Sequence, residues 1–166
     1  LVIDLVVSHT SFENLWFLVS RSSRNKPNGV WYIWQDRKHG REPNNWEAIF
    51  GGSSWEWDEK TGQYFHHVFS RRQPDLNWEN REMREAIYAM IRWWLDKGID
   101  GFRIDAITHT KKMPGFPDMP NPQGLEYVPS YPMHMNVEGI DEYIEDLCAN
   151  TFRRYDIMTV GEANGV

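Results

Sequence analysis

An α/β fold built on parallel strands is expected from three features of this 166-residue chain. Residues 1–7, LVIDLVV, are β-branched and almost wholly apolar, as in a central strand covered on both faces. Two amphipathic helical stretches follow, each leading into a short apolar strand. The resulting order is strand, insertion, helix, strand, loop, helix, strand, and such alternation argues for a parallel sheet.

Each element has its own signal. After the first strand, residues 10–72 are rich in Asn, Gly, Ser and aromatics. That is too long for a loop in a compact domain, so it reads as an inserted subdomain of short strands and turns. It holds PNNW (43–46), FGGSSW (50–55) and an alternating segment at 63–69. Asn80 is a good N-cap for a helix whose apolar positions are Met83, Ile87, Met90, Ile91, Trp94 and Leu95, with Gly98 as its stop. A strand over Gly101–Ile104 ends at Asp105. A Pro- and Met-rich loop spans 108–137, and a second helix carries Ile140, Tyr143, Ile144, Leu147 and Cys148. The last strand, Ile157–Val160, ends at Gly161–Glu162. Three strands close no barrel, and a doubly wound sheet fits this order as well as part of a (β/α)8 barrel does.

Composition bounds the function. Hydrophobic residues make up 40% of the chain, enough for a core, and nine tryptophans offer flat apolar faces suited to sugars or peptides. A net charge of −6 gives no nucleic-acid footprint. No apolar run approaches the ~20 residues that span a bilayer, so no membrane partner is expected. Cys148 is the sole cysteine and reads as a core thiol. No phosphate-cradling glycine motif and no calcium loop occur, and adjacent strand residues His66–His67 point to opposite faces, so neither cofactor nor metal is expected. Lys111–Lys112 and Arg71–Arg72 read as solvated charges, and Trp94 as core with Trp93 against a neighbour. The chain starts on a strand without Met and stops just after one, so both ends are expected to be cuts within a longer chain; a cytoplasmic location is the expectation.

In parallel α/β folds, reactive groups gather at the C-terminal strand ends. Here those ends present Asp4 and His9, then Arg103 and Asp105, then Glu162. Alternation puts Arg103 and Asp105 on one side of their strand, so the guanidinium is expected to hold Asp105 ionised. Glu162 has no cation in its local sequence and is expected to be free to carry a proton. One ionised and one protonated carboxyl are what glycoside hydrolysis requires. A structural Arg103–Asp105 ion pair beside a solvated Glu162 accounts for the same spacing.

Four segments, in order, resemble the sequence regions of the α-amylase superfamily, glycoside hydrolase family 13: DLVVSH (4–9), QPDLNW (73–78), GFRIDA (101–106) and VGEANG (160–165). PNNW, FGGSSW and DEKTGQY (58–64) resemble the α-glucosidase and oligo-1,6-glucosidase subfamily. The resemblance covers the whole chain. It implies the third to fifth strands of a (β/α)8 barrel in residues 1–9 and 73–166, with an inserted domain B at 10–72. It implies Asp105 as nucleophile and Glu162 as acid/base, with Arg103 holding the nucleophile. His9 would bond the non-reducing glucose, Phe50 and Phe69 would wall the pocket, and Gln73 would sit near its mouth. The partner implied is a small oligosaccharide.

Two departures stand out. Ser8 replaces the family's Asn beside His9, which bears on how the adjoining loops are held. The family's third carboxylate, in an N-H-D motif after a later strand, has no counterpart here, so this stretch alone is expected to be inactive. Transfer or isomerisation, as in making isomaltulose from sucrose, uses the same two acids. Non-catalytic relatives that partner membrane transporters lose them, whereas Arg103, Asp105 and Glu162 are all present. Ala106, just after the nucleophile, and the GEANGV stretch resemble members that favour α-1,4 bonds, so maltose and short malto-oligosaccharides are the expected substrates. The sequence carries nothing on oligomeric state.

Overall fold

The computed structural model describes residues 1–22 and 27–165. Residues 23–26 of the insertion, and Val166 at the end of GEANGV, lie outside the described residues. Three strands, β1 (Val2–Val6), β6 (Gly101–Asp105) and β8 (Met158–Gly161), form a parallel sheet with β6 in the middle. Between them lie α1 (Leu15–Ser20), the short strands β2 (Trp34–Gln35), β3 (Trp46–Glu47), β4 (Trp55–Asp58) and β5 (Gln63–His66), and helix α2 (Arg81–Asp96). After β6 come β7 (Val128–Pro129), α3 (Tyr131–His134) and α4 (Ile140–Asn150). The α/β order expected from the sequence is the order found.

Register decides which side chains share a face. Asp4 pairs with Arg103, Val6 with Asp105, and Arg103 with Val160. The Glu162 N–H donates to Ile104 O at 2.8 Å, which carries the ladder one step past β8 and lays Glu162 beside Asp105. Alternation then puts Asp4, Arg103, Asp105 and Glu162 on one face, while Leu5, Phe102 and Ile104 enter the core on the other. Gly101 makes this packing possible, because a Cβ there would overlap the Met158 carbonyl.

Leu5 and Val7 are buried, while Val2 and Val6, on the carboxylate side, are 43% and 41% exposed, so among the described residues the first strand is covered on one face rather than on both as expected.

Helix α2 starts where Asn80 accepts the Met83 N–H at 2.9 Å and is C-capped by Lys97, with Gly98 next in the left-handed region. Its buried stripe is Met83, Ile87, Tyr88, Ile91 and Leu95. Trp94, expected in the core, is 38% exposed and meets Trp93 edge-on at 4.7 Å. The reason is rotation: the stripe is centred toward Tyr88, whose hydroxyl reaches Asp146 on α4 at 2.9 Å, and Trp94 falls off its edge. Cys148 lies half-buried on α4, against the core.

The insertion shares that core. Phe17, Tyr32 and Phe65 from residues 10–72 cluster with Leu5, Val7, Leu76 and Met83. The sheet β2-β5-β4 is antiparallel, and β7, from the loop after β6, pairs with β3. Asn44 and Asn45 bond the same loop at Phe116, Asp118 and Met119, and Trp46 Nε1 bonds Pro117 O at 2.7 Å. The loop that follows Asp105 is thereby fastened to the insertion. Among the described residues, no helix is long and apolar enough to cross a membrane.

Candidate active site

Arg103 is the hub of the carboxylate face. Its Nη1 donates to Asp105 Oδ1 at 2.6 Å and to Asp4 Oδ1 at 3.2 Å, and its Nη2 donates to Glu162 Oε2 at 2.9 Å. The Ala106 N–H also reaches Glu162 Oε2, at 3.3 Å. The expectation that Glu162 lacks a cation is therefore corrected. Its cation comes from the neighbouring strand, two register positions away, where local sequence could not reveal it. One planar fork grips both acids, as guanidinium geometry allows and an ammonium would not. The contacts to Asp105 and Glu162 each use one carboxylate oxygen, leaving Asp105 Oδ2 and Glu162 Oε1 free of Arg103.

A second group flanks this face. His9 follows β1, and its ring lies 5.3 Å from Phe69. Phe69 in turn lies 6.0 Å from Phe50 and meets His109 edge-on at 5.5 Å. Gln73 reaches His9 Nε2 at 2.9 Å, and Ser8 Oγ lies 2.9 Å from His9 Nδ1. Burial lowers the His9 pKa below its ordinary value; Lys112 adds to this, while Asp75 and Asp105 oppose it. The structure thus gathers His9, Phe50, Phe69 and Gln73 into one wall. Phe50 is its exposed member, at 72%. Ala106 is buried, with a left-handed backbone at φ 46°.

Behind the wall lies a network that the sequence reading missed. Asp75, within QPDLNW, is buried and pairs with His66 Nδ1 at 2.9 Å and Lys112 Nζ at 2.9 Å, and it accepts the Val68 N–H at 3.3 Å. Lys112 also donates to His109 O at 2.5 Å. Lys112, expected to be solvated, is a buried cation tying the loop after β6 to Asp75, and through Asp75 to His66 of the insertion. Burial pushes the Asp75 carboxyl up, but Lys112 and His66 together outweigh it and hold it well below the usual carboxylate range. His109 Nδ1 lies 3.0 Å from His134 Nδ1 on α3. The available signal was Asp75 itself, an acid between apolar neighbours in a motif already singled out.

Among the described residues, no group of three or more His, Cys, Asp or Glu side chains could hold a metal. Two carboxylates clamped by one arginine, beside an aromatic wall with a neutral imidazole, can carry out nucleophilic and acid–base chemistry on a ligand with an apolar face and hydroxyls.

Comparison with known proteins gives this site a context. Residues 1–166 match the family described as alpha amylase, catalytic domain. The chain is 64% identical over 166 residues to the probable oligo-1,6-glucosidase 3 of Bacillus subtilis (strain 168), covering 100% of this chain and 30% of that protein. It is similar to the crystal structure of Bacillus licheniformis trehalose-6-phosphate hydrolase, with TM-score 0.91 and 39% identity over 99% of this chain and 29% of that one. An isomaltulose synthase of Erwinia rhapontici NX5, solved with its natural substrate sucrose, superposes with TM-score 0.91 and 40% identity over the same shares. The chain thus spans about 30% of the length of the curated relatives it matches.

Proposed function

We propose, from the premise that this chain belongs to the α-amylase catalytic-domain family, that it is an internal segment of a retaining α-glucosidase acting on short α-glucosides. The single observation that carries the reading is the Arg103 fork, which joins Asp105 and Glu162 across adjacent parallel strands. In this reading Asp105 Oδ2 attacks the anomeric carbon of the non-reducing glucose. Glu162 Oε1, the oxygen not engaged by Arg103, gives its proton to the glycosidic oxygen, and the aglycone leaves as an alcohol. Glu162 then takes a proton from water, whose oxygen attacks the glycosyl ester and frees Asp105. Two displacements return the α-anomer, which is the outcome for carboxyls about 5–5.5 Å apart. His9, Phe50, Phe69 and Gln73 bind the glucose ring, and Ala106 borders the aglycone side.

Ala106 favours maltose and short malto-oligosaccharides as substrates. A second reading, preference for α-1,6 bonds, is favoured by the oligo-1,6-glucosidase name of the 64%-identical relative. Transfer chemistry on sucrose has support from the isomaltulose synthase likeness. The test is a proton NMR time course of the full-length protein with maltose, isomaltose and sucrose. α-Glucose appearing first supports the proposal. β-Glucose first overturns retention, and no turnover of any of the three overturns the glucosidase reading. Isomeric disaccharides from sucrose without free glucose would establish the transfer alternative.

A further inference from the structure

His9 has a protein partner on each ring nitrogen, and the donors that reach it run in one direction. The Ser70 backbone N–H lies 3.2 Å from Gln73 Oε1. A backbone N–H can only donate, so the atom it faces is the amide oxygen, and the amide nitrogen is turned away from it. The Gln73 N–H bonds Ser70 O at 2.7 Å, which locks this short turn from both sides. The Gln73 amide nitrogen then faces His9 Nε2 at 2.9 Å. It too can only donate, so Nε2 is the bare, accepting nitrogen. A neutral imidazole with a bare Nε2 carries its proton on Nδ1. That nitrogen lies 2.9 Å from Ser8 Oγ, within a residue only 1% exposed. The surroundings favour the neutral ring: burial and Lys112 oppose its protonation more strongly than Asp75 and Asp105 promote it.

We propose that Ser8 is a positioning residue whose hydroxyl oxygen receives the His9 Nδ1–H, fixing this tautomer and leaving a lone pair on Nε2 beside the Gln73 amide. A sugar hydroxyl entering there donates to Nε2 in place of the amide and accepts the displaced Gln73 N–H. The pair therefore selects a group that both donates and accepts, which a hydroxyl does and an ether oxygen does not. The replacement of Asn by Ser at position 8 acquires a role through the histidine ring as well as through the loops. The ligand half of this inference rests on the glucosidase reading; the tautomer half does not.

The experiment uses the full-length protein labelled with 15N-histidine, the His9 signals being assigned from a His9→Gln variant. Two-bond 15N–1H correlations tell a protonated ring nitrogen from a bare one. Wild type is expected to show Nδ1–H alone. Ser8→Ala is expected to shift a fraction to Nε2–H and to raise KM for maltose about tenfold, the scale of one neutral hydrogen bond. The same variant leaves kcat within about threefold, and Ser8→Thr restores both tautomer and KM. Gln73→Glu, which turns an acceptor toward Nε2, is expected to place a proton there and gives a second reading if Ser8→Ala does not fold. An Nε2–H ring in wild type, or a ring left unchanged in a folded Ser8→Ala, overturns the proposal; where Ser8→Ala does not fold, a ring left unchanged in Gln73→Glu does. A protein that turns over no α-glucoside but still shows the Nδ1–H ring and its loss in Ser8→Ala would sink the glucosidase reading and leave tautomer control standing.

Discussion

Arg103 Nη2 donates to Glu162 Oε2 at 2.9 Å while Nη1 of the same guanidinium donates to Asp105 Oδ1 at 2.6 Å, so the spacing of the two carboxylates is held by one side chain. Lysine cannot reproduce that fork. Arg103→Lys in the full-length protein is expected to lower kcat/KM for maltose about 10²-fold, the cost of misplacing reacting groups by about an ångström. A variant that keeps its kcat/KM would show that the fork does not position the acids.

The two carboxylates should respond differently to the leaving group. Asp105→Asn is expected to abolish turnover of every α-glucoside, because a neutral amide is a poor nucleophile. Glu162→Gln is expected to cost about 10²–10⁴-fold on maltose but far less on a nitrophenyl glucoside, whose leaving group needs little protonation. Equal losses on both substrates would remove Glu162 from the acid role.

Much of this site was legible because the ends of β1, β6 and β8 converge by topology. A strand's period of two fixes which residues face one way, and parallel order fixes which ends meet. Asp4, Arg103, Asp105 and Glu162 could therefore be gathered from sequence alone. What could not be read were links across strands and loops. Arg103 reaches Glu162 through register, and Lys112 reaches Asp75 through a loop folded back on the insertion. Trp94 went the other way: its helical spacing was right, but which neighbour α2 leans on sets the rotation of its buried stripe.

The buried Asp75–Lys112 pair gives a stability prediction. Removing one partner strands the other charge in the interior, a loss of about 3–5 kcal/mol. Lys112→Met is expected to destabilise the full-length protein on that scale in urea denaturation. Asp75→Asn with Lys112→Met should cost less than the sum of the two single changes, since the double variant strands no charge. Strict additivity would mean that the two groups do not interact.

Acid should loosen the protein before its carboxylates titrate. Burial lowers the pKa of His67 to about 4 and that of His134 to about 3, with His66 adding to the first and Lys112 to the second. The unfolded chain keeps histidines near their ordinary 6.5, so between that value and about 4 it binds more protons than the folded one. Stability is then full above about pH 6.5 and falls with acidification, by up to about 1.4 kcal/mol per pH unit for each histidine involved. Asp75 acts lower: its contribution is present above the unfolded carboxylate value and is lost only as pH falls toward its depressed folded one. Thermal melts at pH 7.5, 6 and 5 should show a steady fall, made shallower in His67→Gln. A flat profile over that range would contradict the buried neutral histidines.

Linkage preference rests on one small side chain beside Glu162. Ala106 sits at φ 46°, is buried, and donates its N–H to Glu162 Oε2 at 3.3 Å. In the proposed site it borders the aglycone, where 1,4- and 1,6-linked sugars depart in different directions. Two added methyl groups change the room there, and pocket differences of that size are worth about 1–3 kcal/mol, or about 10–200-fold in rate. Valine also strains a left-handed backbone, by about 1–2 kcal/mol. That strain lowers turnover of both substrates alike, so the readout is the ratio of kcat/KM for maltose to that for isomaltose, in which it cancels. Wild type should favour maltose, Ala106→Val should move the ratio toward isomaltose, and Ala106→Gly, which relieves the backbone and adds no branch, should not. A wild-type preference for isomaltose, or a ratio that Ala106→Val leaves unchanged, would defeat the argument from Ala106 and favour the α-1,6 reading that the 64%-identical relative's name suggests.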